Sequence, residues 1–282
     1  MQSKPSNLVT IDNKLAQASY SLTLSEQRLL FIILSKLRPD YYRKETKQET
    51  NDKVFLDKVI TKDDLFIQGE TVDCITEYQL SVREYADFCK IDIGDARHEL
   101  IGAAEHLFNR RITLKEGTNS FCSFGWVQWV RYDEVNDLVG IRWSFGILPY
   151  IQNLTKYFTK LKLNSLLGLK STYSWKLYQL LVSKKGENIY KRNVEIDIES
   201  ILFSLDVPIS CREFKFFNSK ILQKSMKEIE GQKLFEGFKV EKILKGKKVV
   251  GLRFGWLGKD EVDKKRVYEG IVEDASAKGK LT

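Results

Sequence analysis

The 282-residue chain is 43% hydrophobic, 30% charged and 12% aromatic, which suits two ordinary globular domains and excludes wholesale disorder. Apolar runs such as Leu29–Leu34 are far too short to cross a bilayer, and no apolar segment follows the N-terminal lysine, so neither a membrane span nor a secretory signal is expected. The net charge of +8 is unevenly divided: residues 1–145 hold 19 Lys/Arg against 22 Asp/Glu, and residues 146–282 hold 27 against 16. A basic second half points to a polyanion partner, with nucleic acid the usual candidate.

The four cysteines (Cys74, Cys89, Cys122, Cys211) are scattered and form no CxxC pair. That pattern predicts free thiols in a reducing cytosol, with neither a disulfide framework nor a zinc site.

In chain order, Thr23 or Ser25 caps a helix that turns Leu29, Leu30, Ile33 and Leu37 inward and stops before Pro39. Residues 40–53 are polar and read as a surface insertion, and residues 40–70 as a loop, a dimer element or both. A short strand at EYQLSV and a short helix at VREYADFCKI follow. The next helix, Asp95–Phe108, buries Ala96, Leu100, Ala104 and Leu107. Three strand runs close this half: RRITLKEG, FCSFGWVQWVRY and DLVGIRWSFG.

The second half repeats the order. A helix at STYSWKLYQLLVSKK ends at Gly186, then come a strand at NVEIDI, a short helix at ESILFSL and a helix over 212–229. Strands FKVEKIL and VVGLRFGW meet at a turn, KGKK, over Lys245–Lys248. Helix, short strand, helix, helix, β-hairpin is the order of a winged helix, whose last helix enters the major groove while the hairpin lies on the phosphate backbone. The sequence therefore predicts an α+β fold of two tandem winged-helix domains, over 1–146 and 147–257, with a flexible tail over 258–282.

With residues about 100° apart, the helix at 212–229 gathers Phe214, Phe217, Ile221, Ser225 and Ile229 on one face. Its other face carries Arg212, Phe216, Lys220, Gln223 and Lys227, with Lys215, Asn218 and Ser219 at the edge and Lys224 near the C-terminal end. A core-facing helix has no need of a phenylalanine among lysines, whereas a groove-reading helix can set one against a thymine methyl. Lys and Arg donate to guanine or neutralise phosphate, and Lys245, Lys247 and Lys248 add charge at the hairpin tip. The corresponding helix of the first half is close to neutral. It offers Arg97 and His98, with Arg110, Arg111 and Lys115 beyond its end, so this half is expected to bind DNA more weakly and to serve as a protein-contact surface.

NKLAQASYSLTLSEQRLLF, LPYIQNLTKYFTKLKL at Leu148–Leu163, YSWKLYQLL at Tyr173–Leu181, and KSMKEIEG followed by KKVVGLRFGW together resemble the iteron-binding replication initiators of theta-replicating bacterial plasmids. The resemblance covers roughly Asn13–Trp256. It implies a protein of the bacterial cytoplasm that binds direct repeats at an origin as a monomer, helps open AT-rich DNA and recruits the host initiator and replicative helicase. It also implies a homodimer through the first domain that represses its own gene at an inverted repeat. Other members can carry a run of arginines near Asn218–Lys220 where this chain has only Lys220, so its repeat sequence cannot be borrowed.

No enzymatic signature competes. His98 and His106 stand eight residues apart on one predicted helix, too far for one metal ion, which argues against a rolling-circle nuclease. EGQKLFEG and LKGKK lack Walker spacing. The expectation is a DNA-binding protein with no enzymatic activity, cofactor or metal; the alternative is a dedicated transcriptional repressor with the same two domains.

Overall fold

The protein is described by a computed structural model over residues 7–37, 77–117, 119–152, 154, 156–186, 191–231 and 235–257. The expected insertion at 40–53, the whole 40–70 segment, Cys74 and the tail at 258–282 lie outside these residues.

Strand β1 (Leu8–Asp12) leads into the short helix α1 (Asn13–Ala16) and then α2 (Leu24–Ser35). Helix α2 starts where the sequence says, because Thr23 and Glu26 form a reciprocal capping box that satisfies two otherwise orphaned amides. Strand β2 (Glu77–Ser81) runs into α3 (Val82–Cys89), which opens on the same device, built from Ser81 and Glu84. Helix α3 stops at Lys90 in the left-handed conformation, φ 55°. Asp92 then caps α4 (Ile93–Leu107), accepting the Gly94 N–H at 2.7 Å.

Next come β3 (Arg111–Lys115), β4 (Phe121–Gly125), β5 (Val127–Asp133) and β6 (Leu138–Trp143). The single strand expected over FCSFGWVQWVRY is two. β3 pairs with β4 as a separate hairpin, while β5 joins β6 and β2 in a sheet of order β2-β6-β5. The break falls at Trp126, which is 1% exposed and packs edge-on against Tyr20 with ring centroids 5.1 Å apart. Burying that indole turns the chain out of one sheet and into the other, an effect of tertiary packing that alternation cannot foretell.

Beyond the first wing lie α5 (Leu148–Ile151), β7 (Phe158–Lys162), α6 (Leu163–Leu167) and α7 (Thr172–Lys185). β1 pairs antiparallel with β7, Leu8 opposite Lys162 and Asp12 opposite Phe158, so the start of the chain is stitched to residues past 146. Helix α7 is buried from Ser174 to Ser183. Its Trp175 meets Phe31 of α2 at 5.5 Å, and its Tyr178 meets Phe235 at 5.7 Å. Buried on several sides, polar Lys176 and Gln179 included, this helix is the spine on which both halves pack.

The second winged helix comprises β8 (Asn193–Asp197), α8 (Ile198–Ser204), a 3₁₀ turn (Ile209–Cys211), α9 (residues 214–230), β9 (Lys239–Lys245) and β10 (Lys248–Gly255). Its sheet order is β8-β10-β9. Phe235 meets Trp256 edge-on at 5.1 Å in its core. Two winged helices in one α+β chain is the architecture expected from the sequence.

Candidate nucleic-acid interface

Helix α9 is continuous in three segments: α-helical Phe214–Phe217, π-helical Asn218–Leu222 and α-helical Gln223–Glu230. The expected start at Arg212 is two residues early; Arg212 closes the preceding 3₁₀ turn. The buried residues are Phe217, Ile221, Leu222, Ser225 and Ile229, with Phe214 half-buried.

The π turn has a readable cause. Phe217, Ile221, Ser225 and Ile229 recur every fourth residue. In a pure α-helix such a repeat drifts roughly 40° per step, because 3.6 residues complete a turn. One turn with i→i+5 bonding absorbs the excess and keeps the stripe on the core, drawing Leu222 in beside it. A strict four-residue spacing was the signal available in the sequence. The same correction keeps Lys215, Phe216, Ser219, Lys220, Gln223, Lys224 and Lys227 together on the exposed side.

On that side Phe216 is 38% exposed, and the Lys220 ammonium lies over its ring, 5.3 Å from the centroid. Gln223 Nε2 donates to Asn218 Oδ1 at 3.1 Å, and Ser219 Oγ donates back to the Lys215 carbonyl at 3.0 Å. Arg212 Nε donates to the Val207 carbonyl at 2.9 Å, which fixes the turn before the helix.

The wing hairpin closes through Gly246 and Lys247. Gly246 has φ 63° at the first central position, the pattern of a type II′ turn. Lys245 and Lys248 face each other across it, and Lys245, Lys247 and Lys248 are all exposed. Sequence reasoning passed over Lys242, whose ammonium lies 5.2 Å from the Phe214 ring centroid, where β9 meets the start of α9. It also passed over Leu244, 59% exposed beside the tip.

The first domain arranges the same parts with opposite charge. Its wing, β5–β6, turns through Asp133, Glu134 and Asp137. Asp133 is held ionised by bonds from the Asn136 side chain and N–H, which push its carboxyl below the ordinary range. Arg97 leans from α4 onto this turn and grips Asp137 at 2.7 and 3.1 Å, and Tyr132 donates to the same carboxylate at 2.8 Å. Arg110 grips the fully buried Glu26 at 2.9 Å, and Arg111 donates to Ser123. His98 is exposed, and Lys115 lies over the Phe203 ring at 4.6 Å. The five first-domain residues therefore do not form one basic surface: Arg97 and Arg110 are tied to carboxylates, and Lys115 packs toward the second domain.

A helix with an exposed basic face beside a lysine-tipped hairpin defines a helix-turn-helix protein of the winged class. The chain matches the family model described as Initiator Replication protein, WH1, over residues 8–182, and that described as Initiator Rep protein, WH2, over residues 197–256. It belongs to this replication initiator family.

Among solved structures it is similar to the Pi initiator protein in complex with iteron DNA, at 17% identity and TM-score 0.63, covering 90% of this chain and 98% of that one. The WH1 domain of MSBI1.176, a replication protein isolated from a multiple sclerosis patient, aligns at 17% identity and TM-score 0.28 over 45% of this chain and 77% of that one. No curated protein matches the sequence. Among the described residues no helix is long and apolar enough to cross a membrane, and no group of three or more His, Cys, Asp or Glu could hold a metal ion.

Proposed function

We propose that this chain is a plasmid replication initiator that binds the direct repeats of an origin chiefly through its second domain. The observation that carries the reading is the pairing, within one domain, of the Phe216–Lys220 face of α9 with the Lys245–Lys248 wing tip. A recognition helix specifies by base contacts and a wing positions by phosphate contacts. The likeness to the Pi initiator, whose structure is in complex with iteron DNA, supports the same assignment. Origin opening, recruitment of the host initiator and helicase, and autorepression as a dimer through the first domain complete the proposed role. The chain acts without catalysis or cofactor, in the cytoplasm.

The test is a titration on repeat-containing and scrambled duplexes from the parent replicon at several salt concentrations. Phe216→Ala/Lys220→Ala is expected to lose about 1–3 kcal/mol of discrimination for each good base pairing it abolishes. This pair is cleaner than one including Arg212, whose alanine would also free the Val207 carbonyl. Lys245→Gln/Lys247→Gln/Lys248→Gln is expected to weaken both duplexes alike and to flatten the salt dependence by about 0.9 per phosphate no longer neutralised. Equal binding of repeat and scrambled duplexes by the parent would refute the assignment.

A further inference from the structure

Where the two domains meet, α1, the segment after it, β3, α7 and α8 enclose a cleft of about 220 Å³. Three lysines from three elements are among the residues that line it: Lys14, Lys115 and Lys184. Leu114, Leu180 and Phe203 supply apolar lining beside them. Lys184 is half-buried, and Lys14 and Lys115 are exposed. None of the three forms an ion pair among the described residues. Asp197 feels Lys115 electrostatically, but spends one of its oxygens on the Ser200 N–H at 2.7 Å.

Three lysines lining one cleft make its potential positive, which favours an anion there. The cleft lies against α8, which precedes the recognition helix. In a helix-turn-helix the helix in that position crosses the nucleic-acid backbone. The apolar lining suits a sugar, and the lysines suit a phosphate.

We propose that this seam is a phosphate-binding cleft in which Lys14, Lys115 and Lys184 clamp a backbone phosphate of bound duplex, joining the two domains through the DNA. The proposal rests on the DNA-binding reading above. The same chemistry would accept a free phosphate, and the experiment separates the two sources.

The variant is Lys14→Gln/Lys184→Gln, which leaves Lys115 on the Phe203 ring. Affinity for repeat and scrambled duplexes is measured against salt, with Lys90→Gln as a charge control elsewhere on the first domain. Expected is a salt slope smaller by about 0.9 for each phosphate no longer neutralised, an unchanged repeat-to-scrambled ratio, and a control close to parent. In parallel, thermal stability of DNA-free parent and variant is followed with added inorganic phosphate at constant ionic strength. A stabilisation confined to the parent, with the DNA slope unmoved, assigns the cleft to a free phosphate. Unchanged behaviour in both arms, or an equal change per charge removed in the Lys90→Gln control, overturns it. A parent that binds no duplex refutes the DNA-binding reading, while the phosphate arm still decides the cleft.

Discussion

Arg110→Ala is expected to lower the unfolding free energy by about 3–5 kcal/mol, the cost of leaving a buried carboxylate without its cation. Glu26 is 0% exposed, and its carboxylate receives the Thr23 N–H at 2.7 Å and the Arg110 guanidinium at 2.9–3.0 Å. The helix cap and the ion pair therefore share one side chain: removing the arginine strips charge compensation from the residue that starts α2. Glu26→Gln keeps an acceptor for Thr23 and leaves Arg110, which is 33% exposed, to water, so it should cost less than Arg110→Ala. Urea unfolding followed by circular dichroism measures both. A loss under about 1 kcal/mol for Arg110→Ala, accompanied by a flatter salt dependence of DNA binding, would instead make Arg110 the phosphate contact its sequence position suggested.

The second large effect is one of pH. Lys176, on the central helix α7, is fully buried, and its ammonium donates to the Tyr20 carbonyl at 2.6 Å and lies 4.2 Å from the Tyr20 ring centroid. Burial pushes its pKa down from 10.5 to about 7, with Asp206 opposing that shift. The other polar groups around this contact are Gln179, which accepts the Tyr20 hydroxyl at 2.6 Å, and Ser19, which donates to Asp206 at 3.1 Å.

The depressed value fixes the sign. Below about pH 7 the lysine is charged in both folded and unfolded chains, and the full cost of burying that charge is present. Between about 7 and 10.5 the unfolded chain binds a proton that the folded chain has released, so stability rises with pH, by at most about 1.4 kcal/mol per unit. The stability difference between parent and Lys176→Met, from urea unfolding between about pH 6 and pH 9, should be flat at the acid end and then move in favour of the parent. A difference independent of pH across that range would show that Lys176 does not titrate there.

The asymmetry between the two winged helices follows from their tips. A wing carrying Asp133, Glu134 and Asp137 repels phosphate, and one carrying Lys245, Lys247 and Lys248 attracts it. The uneven charge was visible in the sequence as a count; the structure concentrates it at equivalent positions of two similar domains.

The sequence by itself determined every feature whose cause lies within a few residues. Thr23 and Glu26, and Ser81 and Glu84, write the starts of two helices three positions apart. Alternating apolar residues mark the strands, and Gly246 between lysines marks the second wing. The fourfold spacing in α9 even encoded its π turn, although a wheel drawn at 100° hides it. Tertiary structure alone decided what depends on partners far along the chain. Arg110 finds Glu26 across 84 positions and Arg97 finds Asp137 across 40, which takes both out of a surface that charge counting had given them. β1 finds β7, and Trp126 splits an apparent strand because its ring belongs in the core beside Tyr20. Local hydrogen bonding and periodicity are properties of neighbouring residues, whereas the fate of a charge or an indole depends on what folding brings beside it.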